Sequence, residues 1–522
     1  MTNLTTDFIE KINDSYTFST PSICLGAGIL DGQVHAAAAV NIPLRMINRH
    51  GLVAGATGTG KTRTLQLLAE QLSDAGVPVF MLDVKGDLSG LHKPGTTNPR
   101  ILERAALLQK DFVPAGFPVE LYSLSGNLGA PMRATVTEFG PLLLGKLLDL
   151  NDTQTGVLSV IFKYADDNGL PVVDLKDLRK LVSYLADGPG AAEIKESYGR
   201  ISASTSGTIL RKIAAIEQQG LSELFGETSF DIADLLQRVD GKGVISLLNI
   251  ADVQHQPMLY STFLLSLIVE IYNTLPEAGD LDKPKLVFFF DEAHLLFKDA
   301  SDAFMEQIET VIRLIRSKGV GIFFCTQAPA DVPQQVLSQL GNRIQHALRA
   351  FTPNGLDALK KTVKTYPRSA FYKIDELLTG LGTGQALITV LNDKGIPTEV
   401  AATMLMPPRA EMAPLTQAET LALVSASGTG ARYRQAVDSR SAYEMLIERL
   451  NSAGNGKEHT EPTGNSKQPP NGQNRRSAEK SLMEQVLGAP ITRQIGKEIV
   501  RGLFGMLTGR KTRHRSGGLF GV

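Results

Sequence analysis

The 522-residue sequence has very little cysteine and no apolar segment long enough to cross a membrane. We interpret its two cysteines, Cys24 and Cys325, as reduced core thiols, because two lone cysteines make neither a disulfide scaffold nor a zinc site. The longest apolar stretch, 258–269, falls short of the about 20 residues that a membrane-spanning helix requires. The N-terminus carries acidic side chains early and lacks the apolar core of a signal peptide. We therefore expect a cytoplasmic protein without an integral membrane segment.

The composition that remains is typical of a large globular protein. Hydrophobic residues make up 43% of the chain and charged residues 20%, which excludes collagen-like and wholly disordered chains. The net charge is −1, but it is spread unevenly. Residues 475–522 contain ten lysines and arginines against three acidic residues. The C-terminus is therefore predicted to be a basic arm attached to a mildly acidic body.

Short, continuous apolar runs alternate with segments of helical spacing over most of the chain. This alternation is typical of a parallel sheet that is covered by helices on both faces. The sequence therefore predicts an α/β fold: a core with a mainly parallel sheet, a helical insertion, a small β-rich N-terminal region and a C-terminal helical tail. The predicted strands are 51–54, 77–84, 243–250, 285–292, 320–327, 344–351 and 385–391.

The same patterns divide the chain into segments. Residues 452–478 contain no large apolar side chain, which is typical of a disordered or extended linker. The predicted segments are a β-rich region (1–48), the first part of the core (49–138), a helical insertion (139–240), the second part of the core (241–410), a helical extension (411–451), the linker (452–478) and a basic amphipathic tail (479–522).

The strongest motif is GATGTGKT, residues 55–62, which matches the P-loop pattern and lies between a predicted strand and a predicted helix. Its glycines let backbone N–H groups surround phosphates, and the positive end of the following helix favours the same anion. We expect Lys61 to contact the β- and γ-phosphates and the Thr62 hydroxyl to bind Mg²⁺. The predicted nucleotide-binding residues are Gly55, Ala56, Thr57, Gly58, Thr59, Gly60, Lys61, Thr62 and Arg63.

Three further signals lie at the ends of apolar strands. Asp291 and Glu292 come directly after the run LVFFF, at the end where parallel sheets bind ligands. We expect Asp291 to hold the Mg²⁺ shell and Glu292 to orient and deprotonate the attacking water. Gln327 closes the next strand and can sense the γ-phosphate, although a strand-end amide satisfied by a turn would look the same. After the strand at 77–84, Lys85 or Asp87 is expected near the nucleotide or a subunit interface, the alternative being a solvated loop.

These segments together resemble the HerA/FtsK class of P-loop motor ATPases, and are most similar to its bacterial HerA-like subfamily, which contains the helicase HerA-like C-terminal domain. The resemblance covers about residues 20–410 and rests on five motifs in order: 55–62, 83–90, 291–294, 313–327 and 341–353. It implies a RecA-like core of the additional-strand glutamate type, ATP as the nucleotide, a homohexameric ring with hydrolysis between subunits, and DNA as a partner. It also implies that Arg316, or Arg49 as a second candidate, acts on the nucleotide of a neighbouring subunit. An intramolecularly paired or solvated arginine is the alternative for each.

The sequence is compatible with more than one substrate for the motor. The chain departs from DNA-pumping members because only about 50 residues precede the P-loop and no winged-helix module is visible. The leading hypothesis is a DNA translocase or helicase-like ATPase. The alternatives are an NTPase that acts on protein or phosphate substrates, and a nucleotide-gated assembly module. The tail can dock on its own ring, on a neighbouring subunit or on another protein partner, bind DNA or RNA, or bind an anionic membrane surface.

One body segment is a candidate for binding nucleic acid. Residues 360–373 interleave five basic side chains with Tyr366, Phe371 and Tyr372. Cations of this kind can follow phosphates while rings stack on bases. The alternative is a solvated helix face whose aromatic rings lie in the core.

Overall fold

The computed structural model describes residues 2–297, 302–349 and 353–455. Its strands are β1 (Ser22–Leu30), β2 (Gln33–Pro43), β3 (Gly51–Ala54), β4 (Val79–Asp83), β5 (Val119–Ser123), β6 (Ala130–Pro131), β7 (Arg238–Val239), β8 (Lys242–Gly243), β9 (Ile245–Asn249), β10 (Leu286–Phe290), β11 (Val320–Thr326), β12 (Asn342–Gln345), β13 (Gln385–Thr389) and β14 (Ala401–Leu405).

Helices separate most of these strands. They are α1 (Thr2–Tyr16), α2 (Lys61–Asp74), α3 (Pro99–Leu107), α4 (Val136–Leu147), α5 (Asp152–Asp167), α6 (Leu175–Ala186), α7 (Ala191–Tyr198), α8 (Ala203–Gln218), α9 (Pro257–Thr274), α10 (His294–Phe297), α11 (Asp302–Ile315), α12 (Gln334–Leu337), α13 (Pro353–Val363), α14 (Ile374–Gly380), α15 (Gln417–Ala426), α16 (Gly428–Arg434) and α17 (Ala442–Asn455). None of the described helices combines the length and the apolar composition that a membrane crossing needs.

A single sheet of twelve strands organises the described part of the molecule. Its order is β2-β1-β14-β13-β12-β3-β11-β10-β4-β9-β5-β6, and β7 and β8 form a separate small hairpin. The eight strands from β12 to β6 run parallel, whereas β13, β14, β1 and β2 add an antiparallel flank. The prediction of an α/β fold with a mainly parallel sheet is thus confirmed.

The central strands are apolar because both faces of the sheet are covered. In β10, Phe288 and Phe290 pack into the core on the side of the helical insertion, while Val287 and Phe289 pack on the side of α1 and α2. All four side chains are fully buried. Burial on two faces explains why these strands are continuous apolar runs without polar alternation.

Some predicted segments contain different elements from those expected. Residues 1–48 include α1 as well as β1 and β2, and these two strands extend the main sheet through the pairing of β1 with β14. β12 occupies 342–345 where a strand over 344–351 was predicted, and 350–352 lie outside the described residues. Residues 452–455 of the predicted linker belong to α17, and the rest of the linker and the basic tail also lie outside them.

Candidate functional site

The P-loop connects the carboxyl end of β3 to the first turn of α2. The N–H of Gly55 donates to the Thr326 carbonyl of β11 at 3.2 Å, and the N–H of Ala56 donates to the Ala347 carbonyl at 2.9 Å. These bonds attach the loop to the strand ends on both sides of β3. Gly58 and Gly60 have φ values of 78° and 107°, which side-chain-bearing residues rarely adopt. The glycine spacing in the sequence therefore matches the backbone turn that the loop makes.

The start of α2 is suited to binding an anion. The helix begins at Lys61 after Gly60, and no side chain caps its first N–H groups. The Lys61 ammonium folds over the loop and donates to the carbonyls of Gly55 at 2.8 Å and Ala56 at 3.2 Å. A positive helix end and a lysine cation thus lie at the same loop, as phosphate binding requires.

His346 and Gly384, which the sequence does not predict as site residues, contact the P-loop and the first turn of α2. His346 is fully buried, with Nε2 lying 2.9 Å from the Thr64 hydroxyl of α2. Gly384 donates its N–H to the Thr59 carbonyl at 3.0 Å, and Arg104 donates to the Gly384 carbonyl at 2.9 Å. No sequence signal distinguishes His346, because the predicted strand 344–351 contains it, whereas β12 ends at Gln345 in the structure.

Asp291 and Glu292 follow β10, two strands from β3 at the same edge of the sheet. Asp291 is 6% exposed, and burial raises the pKa of its carboxyl group, although a hydrogen bond with Cys325 opposes the shift. Glu292 has φ of 48°, an uncommon conformation for a residue with a side chain. Its own N–H donates to Asp291 at 2.9 Å, and the next N–H, of Ala293, donates to the Cys325 carbonyl at 2.8 Å. These bonds hold the strained turn in place.

Lys85 pairs with Glu292 across neighbouring strands. β4 lies beside β10 in parallel register, so the residues after both strands meet at one edge. The Lys85 ammonium lies 3.3 Å from Oε1 of Glu292. Partial burial opposes protonation, but this partner raises the pKa of Lys85 overall. Lys85 thus has a partner at the candidate site and is not simply a solvated loop residue.

Gln327 follows β11, the strand between β3 and β10. Its side chain is exposed, while the neighbouring Thr326 hydroxyl and Ala328 N–H both donate to Asp331 at 2.7 and 2.8 Å. The turn is therefore stabilised by Asp331 and leaves the Gln327 amide at the edge that carries the P-loop and the two acids.

Arg316 and Arg49 lie at the opposite edge of the sheet. Arg49 directly precedes His50 and β3, and Arg316 precedes β11, so both arginines lie at the amino ends of strands whose carboxyl ends carry the P-loop and Gln327. Burial, together with the nearby positive charge of Arg316, lowers the pKa of Arg49. The structure therefore brings these arginines together but does not bring them to the P-loop of the same chain.

Two other groups of predicted residues have partners within the described chain. Arg63 is half-buried and donates to the Met412 carbonyl at 2.7 Å. In the segment 360–373, Tyr366 is buried, Phe371 packs edge-on against Phe8, and the Tyr372 hydroxyl donates to the Ile29 carbonyl. The aromatic rings are thus packed in the protein, while the basic side chains of 360, 361, 364, 368 and 373 are exposed.

The donor set at the carboxyl edge suits a phosphate-bound magnesium ion. The Thr62 hydroxyl in the first turn of α2 and the Asp291 carboxylate after β10 are both hard oxygen ligands. Mg²⁺ commonly takes one or two protein oxygens and completes its shell with phosphate oxygens and water. The nearly buried Asp291 carboxylate beside a cationic loop fits that requirement.

Relatives of the chain handle DNA. This chain is 23% identical over 355 residues to the DNA double-strand break repair helicase HerA of Sulfurisphaera tokodaii. The match covers 67% of this chain and 64% of that protein. The chain is 26% identical over 362 residues to the DNA import protein CedB of Sulfolobus acidocaldarius, covering 67% and 51%. The chain thus spans just under two thirds of the length of the first relative and about half of the second.

The chain is also similar to a solved structure and matches one protein family over most of its length. The bacterial conjugative coupling protein TrwB superposes on 77% of this chain and 92% of its own, with 15% identity and a TM-score of 0.49. Residues 30–513 match the family described as helicase HerA-like C-terminal, which is most of the sequence. The chain therefore belongs to the helicase HerA-like C-terminal family.

Proposed function

We propose that this protein is a Mg²⁺-dependent ATP hydrolase of the HerA/FtsK motor class. The observation that carries the proposal is the grouping of functional side chains at one edge of the parallel sheet. The P-loop follows β3, Gln327 follows β11, and Asp291 and Glu292 follow β10, on three adjacent strands. A phosphate-binding loop beside a buried carboxylate and a second acid is the arrangement that hydrolysis of a nucleoside triphosphate requires.

In the proposed reaction, the protein positions the phosphates and a water molecule. Lys61 exchanges its contacts with the Gly55 and Ala56 carbonyls for the phosphate oxygens, aided by the N-terminus of α2. Thr62 and Asp291 would hold magnesium, and the ion, when bound, would neutralise charge that develops on the phosphates. Glu292 accepts the proton of the attacking water, and Gln327 contacts the γ-phosphate or that water.

We propose that hydrolysis takes place between subunits of a ring, with a homohexamer as the working assembly. Arg316 and Arg49 support this because they lie at the edge of the sheet opposite the P-loop of their own chain. An arginine delivered by a neighbour can accelerate phosphoryl transfer by roughly 10³- to 10⁵-fold.

DNA is the proposed partner of the motor. The support comes from the names of the relatives, a DNA repair helicase and a DNA import protein. The exposed cations of 360–373 are compatible with phosphate contacts, whereas the neighbouring rings pack against other residues of the protein. We therefore expect any contact made by this segment to be electrostatic and sensitive to salt.

The first test is steady-state hydrolysis of Mg²⁺-ATP by the wild type and by Lys61→Ala, with and without double-stranded and single-stranded DNA at two salt concentrations. A Lys61-dependent rate that DNA stimulates, and that salt weakens, supports the DNA motor. A Lys61-dependent rate that ignores DNA favours an NTPase for protein or phosphate substrates. Binding of ATP without turnover favours a nucleotide-gated assembly module.

A further inference from the structure

The two carboxylate oxygens of Glu292 have different surroundings. Oε1 forms the ion pair with the Lys85 ammonium at 3.3 Å. Oε2 is buried and has no hydrogen-bond partner within the described residues. It lies 3.6 Å from Nδ1 of His294, which is too long for a hydrogen bond. Glu292 therefore has one oxygen that is held and one that is free to accept a proton.

Two well-defined turns fix the geometry of the ion pair. The buried Asp83 carboxylate accepts the backbone N–H groups of Gly86 at 2.8 Å and of Asp87 and Leu88 at 3.1 Å each. These bonds fix the loop that carries Lys85. On the other side, the bonds at Asp291 and Ala293 fix the backbone of Glu292. The Lys85 side chain is 53% exposed, but hydrogen bonds hold the backbone turns on both sides of the ion pair.

The position of Lys85 argues against direct contact with phosphate. The sheet order β3-β11-β10-β4 puts three strand spacings between the strand before the P-loop and the strand before Lys85. At about 4.8 Å for each spacing, the two strands are about 14 Å apart. Lys61 already supplies a cation at the P-loop, whereas Lys85 lies on the far side of Glu292 from it.

We propose that Lys85 is a positioning residue for Glu292, holding Oε1 toward β4 so that Oε2 is the atom that receives the proton of the attacking water. The inference rests on the proposed function and adds a second side chain to its mechanism. As the water oxygen bonds to the γ-phosphorus, the bond from that phosphorus to the bridging oxygen breaks. ADP leaves with the electron pair, and the proton of the water moves to Oε2.

The experiment compares Lys85→Met, Lys85→Arg and the matched control Lys93→Met. Lys93 also follows β4 and also forms an ion pair, with Glu419 at 2.5 Å, but has no contact with Glu292 among the described residues. We expect Lys85→Met to lower kcat on the order of tenfold with an unchanged KM, because only orientation of the base is lost. Lys85→Arg should restore most of the rate, and Lys93→Met should match the wild type.

Combining Lys85→Met with Glu292→Gln distinguishes two roles of Lys85, positioning of the base and binding of phosphate. In Glu292→Gln, adding Lys85→Met should leave the residual rate and the affinity for ATP unchanged, since the base is already absent. Weaker ATP binding in the double variant would make Lys85 a phosphate ligand and overturn the inference. An unchanged kcat in Lys85→Met alone would also overturn it. Absence of Lys61-dependent turnover in the wild type would instead refute the proposed function, so the two failures are distinguishable.

Discussion

At the scale of single residues, Gly55 shows how closely the P-loop is packed against its support. A Cβ at this position would lie 2.5 Å from the Cβ of His346, closer than real contacts allow. By contrast, a Cβ at Gly395, which also has a positive φ, would meet nothing within 4 Å. Substitution of Gly55 therefore adds steric overlap to backbone strain, whereas substitution of Gly395 adds strain alone.

We predict that Gly55→Ala lowers the free energy of unfolding by about 1–3 kcal/mol more than Gly395→Ala does, because overpacking adds to strain. It should also weaken nucleotide binding, since the loop has to move away from His346. Urea denaturation and titration with a fluorescent ATP analogue check the two effects. Equal destabilisation by both substitutions would show that the Gly55–His346 contact is not close in solution.

His50 is a buried histidine whose hydrogen bonds specify its neutral form. Nε2–H donates to the Ile312 carbonyl at 2.8 Å, and Nδ1 accepts the N–H of Ile322 at 3.1 Å. Burial lowers the pKa of His50 to about 4, and the positive charges of Arg316 and Arg49 act in the same direction. In the unfolded chain the ring has its ordinary pKa of about 6.5.

We predict that the free energy of unfolding falls as the pH drops from about 6.5 to about 4, because the unfolded chain then binds a proton that the folded chain does not. The His50 contribution is intact above pH 6.5, and its loss reaches about 3 kcal/mol near pH 4. Denaturation curves at several pH values measure this dependence. His50→Gln should reduce the slope, and an unchanged slope would contradict a neutral His50.

At the scale of secondary structure, one buried carboxylate joins the helical insertion to the C-terminal helices. Asp177 of α6 accepts the N–H groups of Val173 at 2.8 Å, Asp174 at 3.1 Å and Tyr443 at 2.8 Å. It also accepts the hydroxyl of Ser441, just before α17. Asp177 therefore completes the start of α6 and attaches α17 to it.

We predict that Asp177→Ala lowers the free energy of unfolding by about 3 kcal/mol or more, because it leaves several buried donors without an acceptor. The control is Asp174→Ala, which removes only the N-terminal cap of α6 and should cost about 1 kcal/mol. Urea denaturation of both variants gives the comparison. Similar losses would mean that the connection to α17 contributes little.

The sequence predicts the central strands better than the peripheral ones. β3, β10 and β11 are found as apolar runs because both of their faces are buried. β5 is not predicted from the sequence, since Val119–Ser123 includes Glu120 and a serine and does not form a continuous apolar run. β14 is not predicted either, because two of its five residues are alanines, which are uncommon in strands.

The sequence likewise predicts one part of the candidate site and not another. The meeting of the P-loop with Asp291 and Glu292 could be expected, because the carboxyl ends of parallel strands lie at one edge. The pairing of Lys85 with Glu292 could not be predicted, since it depends on β4 being the neighbour of β10. His346 was missed for a similar reason, because β12 is placed beside β3 only by the sheet order.

At the scale of the whole molecule, the two ends of the parallel strands carry different parts of the proposed catalytic site. One end has the P-loop and the acids, and the other has Arg49 and Arg316. In a ring, the carboxyl ends of the strands of one subunit can face the amino ends of the strands of the next subunit. Each nucleotide then lies between the P-loop of one chain and the arginines of its neighbour. A single chain then holds only part of each catalytic site.

We predict that Lys61→Ala and Arg316→Ala are each nearly inactive, and that mixing them restores activity. In a randomly mixed ring, about a quarter of the interfaces combine an intact P-loop with an intact arginine from the neighbour. Hydrolysis should therefore recover to about a quarter of the wild-type rate after dissociation and reassembly of equal amounts. No recovery, in rings shown by mass measurement to be mixed, would contradict action between subunits.

Hydrolysis of ATP with Glu292 as the base is tested by measuring ATP binding and single-turnover hydrolysis in parallel for the wild type and Glu292→Gln. We predict that both proteins bind Mg²⁺-ATP with similar affinity, whereas the variant loses at least about 100-fold in the rate of the chemical step. An unchanged rate in Glu292→Gln would contradict the assignment of the base. A wild type that binds ATP but never converts it to ADP would contradict the proposed hydrolase function.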